Sequence, residues 1–164
     1  DLPLVGVFVN EDADVIAMAC SELELAAVQL HGEETIDEIA SVRARVGPKV
    51  QIWKAHRVTE AKLPDASALG VDRVLLETHS AGMRGGTGQT FDWSVVENSL
   101  AKQSYVLAGG LNPSNASAAA SLGVDVLDVN SGVERAPGIK SHEKLERFFD
   151  ALRVPSRQHE RGNR

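Results

Sequence analysis

Two glycine-bearing stretches and three isolated ionisable side chains carry most of the chemical signal in this sequence. Ala108-Gly109-Gly110-Leu111-Asn112-Pro113 and Asp128-Val129-Asn130-Ser131-Gly132-Val133-Glu134 each follow or close a short apolar run. Glycine has no Cβ, so paired glycines let the backbone approach a ligand closely and turn N–H groups toward it. Groups of such N–H donors bind anions, phosphate above all. Glu77 ends the run Arg73-Val74-Leu75-Leu76, and Asp128 holds the matching place on a later one. Two carboxylates facing one site allow a proton-donating role and a binding role to be divided between them. His31 follows Val28-Gln29-Leu30 and precedes Gly32, again where an apolar run stops. An imidazole there would polarise a substrate or line its site. The candidate set is therefore Glu77 as catalyst, His31 and Asp128 as substrate contacts, and Gly109, Gly110, Asn130, Ser131 and Gly132 as a phosphate cradle.

Other features point away from chemistry. Arg84-Gly85-Gly86-Thr87-Gly88-Gln89-Thr90 lacks the Gly-Lys-Ser/Thr ending of a nucleotide-binding loop. It reads better as a long, mobile loop beside Glu77. Cys20 is the single cysteine, which excludes an internal disulfide. With Ile16, Ala19 and Leu23 on its helix face, it reads as a core residue. Trp53 and Trp93 read as packing groups. The His, Asp and Glu spacings fit no metal site, so neither metal nor other cofactor is expected. The formal net charge of −6 argues against nucleic acid or an anionic membrane as partner. No apolar run reaches the roughly 18 residues that span a bilayer. Asp1-Leu2-Pro3-Leu4 offers neither a basic leader nor an initiator Met. These signs together predict a cytoplasmic protein, acting on a small phosphorylated molecule, whose true start lies upstream.

The elements that must position these residues alternate regularly. Apolar runs at 4–9, 26–30, 50–55, 72–76, 105–108 and 125–129 predict strands. Amphipathic stretches at 12–23, 34–46, 91–100, 113–122 and 142–152 predict helices, with a short helical piece ending near Leu69. Such alternation builds βα units on a parallel sheet, and continuous apolar strands such as Val74-Leu75-Leu76 fit burial on both faces. One domain is expected over residues 1–154, and residues 155–164 form a polar tail expected to be disordered. Six units suit a doubly wound open sheet, or part of a closed barrel, which needs eight.

The motifs then resemble one family closely. Val5-Gly6-Val7-Phe8-Val9-Asn10 and Val28-Gln29-Leu30-His31-Gly32 look like the third and fourth strands of phosphoribosylanthranilate isomerase, an enzyme of tryptophan biosynthesis. Gly85-Gly86-Thr87-Gly88-Gln89-Thr90-Phe91-Asp92-Trp93 is similar to its sixth loop and helix. The stretches 108–113 and Ser131-Gly132-Val133-Glu134-Arg135-Ala136-Pro137-Gly138 resemble its seventh and eighth loops. The resemblance implies a (β/α)8 TIM barrel, of which this chain would supply units three to eight. It implies a cofactor-free Amadori rearrangement of N-(5-phosphoribosyl)anthranilate to 1-(2-carboxyphenylamino)-1-deoxyribulose 5-phosphate. Glu77 takes the position of the family's general acid, usually Asp. The family's general base, a Cys ending strand one, would precede this chain, and Cys20 on its helix does not replace it. The 164 residues alone are therefore expected to be inactive. The alternatives are a ProFAR-type isomerase of histidine biosynthesis, whose two similar halves each hold a phosphate, and a non-catalytic phosphate-binding remnant.

Overall fold

The structure, a computed structural model, describes residues 2–59, 63–78, 92–99 and 104–153. Six strands form one sheet in simple sequence order: β1 (Val5–Phe8), β2 (Ala27–Leu30), β3 (Gln51–Val58), β4 (Arg73–Thr78), β5 (Tyr105–Leu107) and β6 (Val126–Leu127). Every neighbouring pair is parallel. Helices α1 (Ala13–Leu23), α2 (Ile36–Val46), α3 (Ala66–Leu69), α4 (Ser94–Glu97) and α5 (Ala116–Ser121) lie in the crossovers, and α6 (His142–Arg153) closes the order. The fold is thus an α/β sheet of successive βα units, as the alternation predicts.

The helix starts follow local chemistry. The Asp12 carboxylate accepts from the Asp14 N–H and caps α1. Thr35 and Glu38 form a reciprocal capping box at α2. Register divides the sheet residues between two faces. Val28, Leu30, Ile52, Val74, Leu76, Tyr105 and Leu107 join the main core with Ile16, Cys20, Ile39, Val42 and Phe148 from the helices. The other face carries a smaller cluster of Leu75, Val106 and Ala108, packed with Trp53, Ala55 and Val126. Cys20 is buried as expected, and burial pushes its thiol pKa up. Trp93 packs against the main core.

Several elements differ from expectation. β3 runs three residues beyond the expected stop because β4 stays in register with it as far as Val58↔Thr78. β6 is only two residues long, paired through Val106↔Val126 and Leu107↔Leu127. The helix expected over 113–122 starts later, at Ala116. Asn112 and Asn115 occupy the preceding turn, where Asn115 Oδ1 accepts from the Asn112 N–H at 2.8 Å. Asparagine side chains that bond nearby backbone compete with the first helical turn. Of the helix expected over 91–100, Ser94–Glu97 is helical among the described residues. An antiparallel hairpin of β7 (Glu134–Ala136) and β8 (Ile139–Lys140), after a 3-10 turn at Ser131–Val133, was not anticipated. The Pro137-Gly138 dipeptide at its tip was the available signal, with Gly138 at φ +76°. The Gly-rich loop expected at 80–90 and the tail at 155–164 lie outside the described residues.

β1 is an edge of the sheet. Its residues on the face away from the helices are exposed, Val7 at 61%, and Val9 just beyond the strand at 62%.

Candidate active site

All the candidate residues meet in one cavity of about 840 Å³ at the C-terminal ends of the strands. His31 follows β2, Glu77 lies on β4, Gly109 and Gly110 follow β5, and Asp128, Asn130, Ser131 and Gly132 follow β6. The lining also includes Lys140, Glu134, Pro137 and Gly138 from the hairpin, which sequence reasoning left out of the site. In a parallel sheet all strands end on the same side, so the loops after them converge there.

The two glycine loops are fitted to each other. Gly109 and Gly110 have φ of +78° and +72°, a left-handed conformation that favours glycine. The side-chain amides of Asn112 and Asn115 both donate to the Gly110 carbonyl at 3.0 Å. At Gly132, a Cβ would stand 1.7 Å from the Leu111 carbonyl oxygen, so only glycine lets the loop after β6 lie against the loop after β5. Lys140 holds the second loop from the hairpin side. Its ammonium donates to the Asn130 carbonyl at 3.0 Å, to the Asn130 side chain, and to Glu134 Oε1 at 2.7 Å. Glu134 Oε2 accepts from the Gly138 N–H at 3.2 Å, which ties the hairpin tip to the same group.

The ionisable groups are held differently. Asp128 lies deep in the cavity. Burial pushes its carboxyl pKa up, His31 and Lys140 pull it back, and Glu77 adds to the rise. The net direction is upward, so Asp128 holds a proton more readily than an exposed carboxylate. Glu77 pairs with Arg57, its register partner on β3, with Nε at 3.3 Å from Oε1. The Gln29 side-chain amide meets Nε2 of His31, and donation from that amide leaves the imidazole proton on Nδ1.

Behind His31 lies a buried ion pair. Lys54 and Glu34 stand 2.9 Å apart, with 13% and 5% of their side chains exposed. Glu34 Oε1 accepts from the N–H groups of Asn10 at 2.9 Å and Gly32 at 3.0 Å, and Lys54 donates to the Gly32 carbonyl at 2.6 Å. Burial alone would raise the Glu34 pKa, but the Lys54 ammonium and backbone N–H groups, that of Asn10 among them, outweigh it and hold the carboxyl below its usual range. The pair fastens the loop after β1 to the loop after β2, which carries His31. Asn10, in a left-handed conformation at φ 51°, completes the knot by accepting from the Glu33 N–H at 2.7 Å.

Known proteins resemble this chain in sequence and fold. The sequence model of the N-(5'phosphoribosyl)anthranilate (PRA) isomerase family matches residues 1–151. The tryptophan biosynthesis protein TrpCF of Haemophilus influenzae is 43% identical over 154 residues, covering 92% of this chain and 32% of its own length. The chain therefore spans about a third of the curated TrpCF relatives it matches. Among solved structures, phosphoribosyl anthranilate isomerase from Thermus thermophilus superposes with a TM-score of 0.76 at 30% identity. It is covered over 72% of its length, and this chain over 92%. A phosphoribosyl anthranilate isomerase in complex with reduced 1-(o-carboxyphenylamino)-1-deoxyribulose 5-phosphate superposes with a TM-score of 0.68 at 34% identity. There the coverage is 93% of this chain and 74% of that one.

Proposed function

Since the chain belongs to the N-(5'-phosphoribosyl)anthranilate isomerase family, we propose that it supplies units three to eight of a (β/α)8 barrel that catalyses the Amadori rearrangement of N-(5-phosphoribosyl)anthranilate in the cytoplasm. The observation that carries this reading is the single cavity where both glycine loops, both carboxylates and His31 converge. In barrels of this class a phosphate sits between the loops after the last two strands. Gly109, Gly110, Asn130, Ser131 and Gly132 hold those places here and bind the substrate's 5-phosphate.

Glu77, at the end of β4, protonates the ribose ring oxygen, so that the furanose opens to a Schiff base. A base on a preceding strand then removes the C2 proton, and the enolamine tautomerises to the ketone. Asp128 and His31 contact the sugar hydroxyls. Burial raises the Asp128 carboxyl pKa, so it holds a proton more readily than an exposed carboxylate beside those hydroxyls. Two preceding βα units would cover the exposed β1 edge and pair with β6, which closes the sheet. Residues 1–154 then form the catalytic domain, and 155–164 lie beyond it.

The test uses the full-length protein with its preceding strands. Glu77→Gln keeps the side chain's size and removes its proton, and should lower kcat by at least roughly 100-fold, followed as loss of substrate fluorescence. An unchanged kcat would sink the assignment of Glu77.

A further inference from the structure

The cavity that the glycine loops floor is lined mostly by acids. Glu77, Asp128 and Glu134 place three carboxyl groups on it, while Lys140 is its one Lys or Arg among the described residues. The formal net charge of −6 on the chain adds to the mismatch. A phosphate monoester carries nearly two negative charges near neutral pH. Such a cavity repels the very ligand its glycines are shaped for, unless a local charge reverses the field.

Lys140 sits where that reversal is needed. The hairpin of β7 and β8 carries it back to the loop after β6, where its ammonium donates to the Asn130 carbonyl at 3.0 Å and to the Asn130 side chain. A cation on that carbonyl polarises the peptide unit, and the N–H of the same unit is that of Ser131, one of the cradle groups. The charge also reaches deeper into the cavity, since it pulls the Asp128 carboxyl pKa down against burial. The third ammonium donor goes to Glu134 Oε1 at 2.7 Å. Glu134 is the better buried partner, with 13% of its side chain exposed against 44% for Lys140, and its Oε2 accepts from the Gly138 N–H. The carboxylate therefore both holds the ammonium in place and offsets part of its charge.

Resting on the isomerase reading, we propose that Lys140 is the residue that lets this acid-lined cavity take a phosphate dianion, with Glu134 setting how much of its charge the ligand meets. The three ammonium donors are taken by Asn130 and Glu134. Lys140 therefore acts by its field and through the Asn130-Ser131 peptide, not by direct contact with the phosphate.

The experiment titrates inorganic phosphate into the full-length protein by calorimetry at pH 8, where phosphate is chiefly the dianion. Lys140→Met should weaken binding by roughly 10-fold, and Lys140→Arg should stay within about threefold of wild type. Glu134→Gln keeps an oxygen for Lys140 and removes the opposing charge, so phosphate should bind roughly threefold more tightly. Lys140→Met combined with Glu134→Gln removes both charges and should fall between the two single variants. A purely structural clamp gives the opposite sign for Glu134→Gln, because losing the acceptor for the Gly138 N–H only loosens the loop. Binding by Glu134→Gln that is no tighter than wild type, or wild-type affinity in Lys140→Met, overturns the inference and leaves the isomerase reading standing. If the wild type binds neither inorganic phosphate nor reduced 1-(o-carboxyphenylamino)-1-deoxyribulose 5-phosphate, the isomerase reading fails and takes the inference with it.

Discussion

Replacing Glu34 by Gln should destabilise the protein by about 3 kcal/mol, although Glu34 touches no substrate. Removing one member of a buried ion pair leaves the other charge uncompensated, at roughly 3–5 kcal/mol. The lower end applies here because the Gln carbonyl still accepts from the Asn10 and Gly32 N–H groups, and Lys54 still has the Gly32 carbonyl. For a domain of this size that loss lowers Tm by roughly 6–12 °C. Glu34→Gln combined with Lys54→Met removes both charges and should be less destabilising than Lys54→Met alone, which strands Glu34. Urea unfolding followed by the fluorescence of Trp53 and Trp93 gives each free energy. The pH dependence carries a sign. The Glu34 pKa is lowered on folding, so its contribution is present above the unfolded value of about 4.3 and is lost as pH falls through the folded value. The gap between wild type and Glu34→Gln should therefore close on acidification. A loss below about 1 kcal/mol at pH 7, or a gap constant down to pH 2, would refute the claim that a buried pair ties these loops.

Other perturbations have equally definite outcomes. Gly132→Ala sets a methyl group against the Leu111 carbonyl, which must move, and should weaken inorganic phosphate binding by at least roughly 10-fold in calorimetry; wild-type affinity would show that the loops are not in contact. Crystals of the full-length protein soaked in sulfate should show the anion between Gly109-Gly110 and Ser131-Gly132, and density elsewhere with these loops empty would contradict the cradle. The His56 pKa is lowered by burial and then by Lys54, so the native state resists protonation and stability falls as pH drops below the unfolded value of about 6.5. His56→Gln should flatten that part of the profile, and an unaltered slope between pH 7 and 5 would remove the assignment. Asp128 has a raised pKa, so its contribution is full below about 3.9 and is lost as pH rises through the folded value. Asp128→Asn should be more stable than wild type at pH 8 yet less active, and a less stable variant would argue against a buried carboxyl there.

The strands were legible where both faces are apolar. Val74-Leu75-Leu76 and Tyr105-Val106-Leu107 announce themselves by composition, and the glycine loops by being placed just after such runs. β3 was read too short because His56 and Arg57 break the apolar run. Pairing with β4, a contact no local window contains, carries the strand through them. The same limit hid the charges that organise the site. Lys54 and Glu34 are 20 residues apart, as are Arg57 and Glu77, and nothing in their spacing reveals which cation meets which carboxylate. Lys140 escaped notice because the hairpin that brings it back to Asn130 was itself unread. What the sequence lacked was the register between strands, since the residue types were all present.

The absence of a side chain at Gly132 has one more consequence. With the Leu111 carbonyl filling that space, the loops after β5 and β6 form a single stiff floor and do not close separately around an anion. A phosphate landing there finds its donors already arranged and orders little of the chain, so more of its binding energy is left to act elsewhere in the ligand. On the proposed isomerase reading, the phosphate would work as a handle: held by that floor, it would set the distance from which the reacting carbons meet Glu77. Any adjustment to a longer or shorter substrate falls to the side of the site built on β1 to β3.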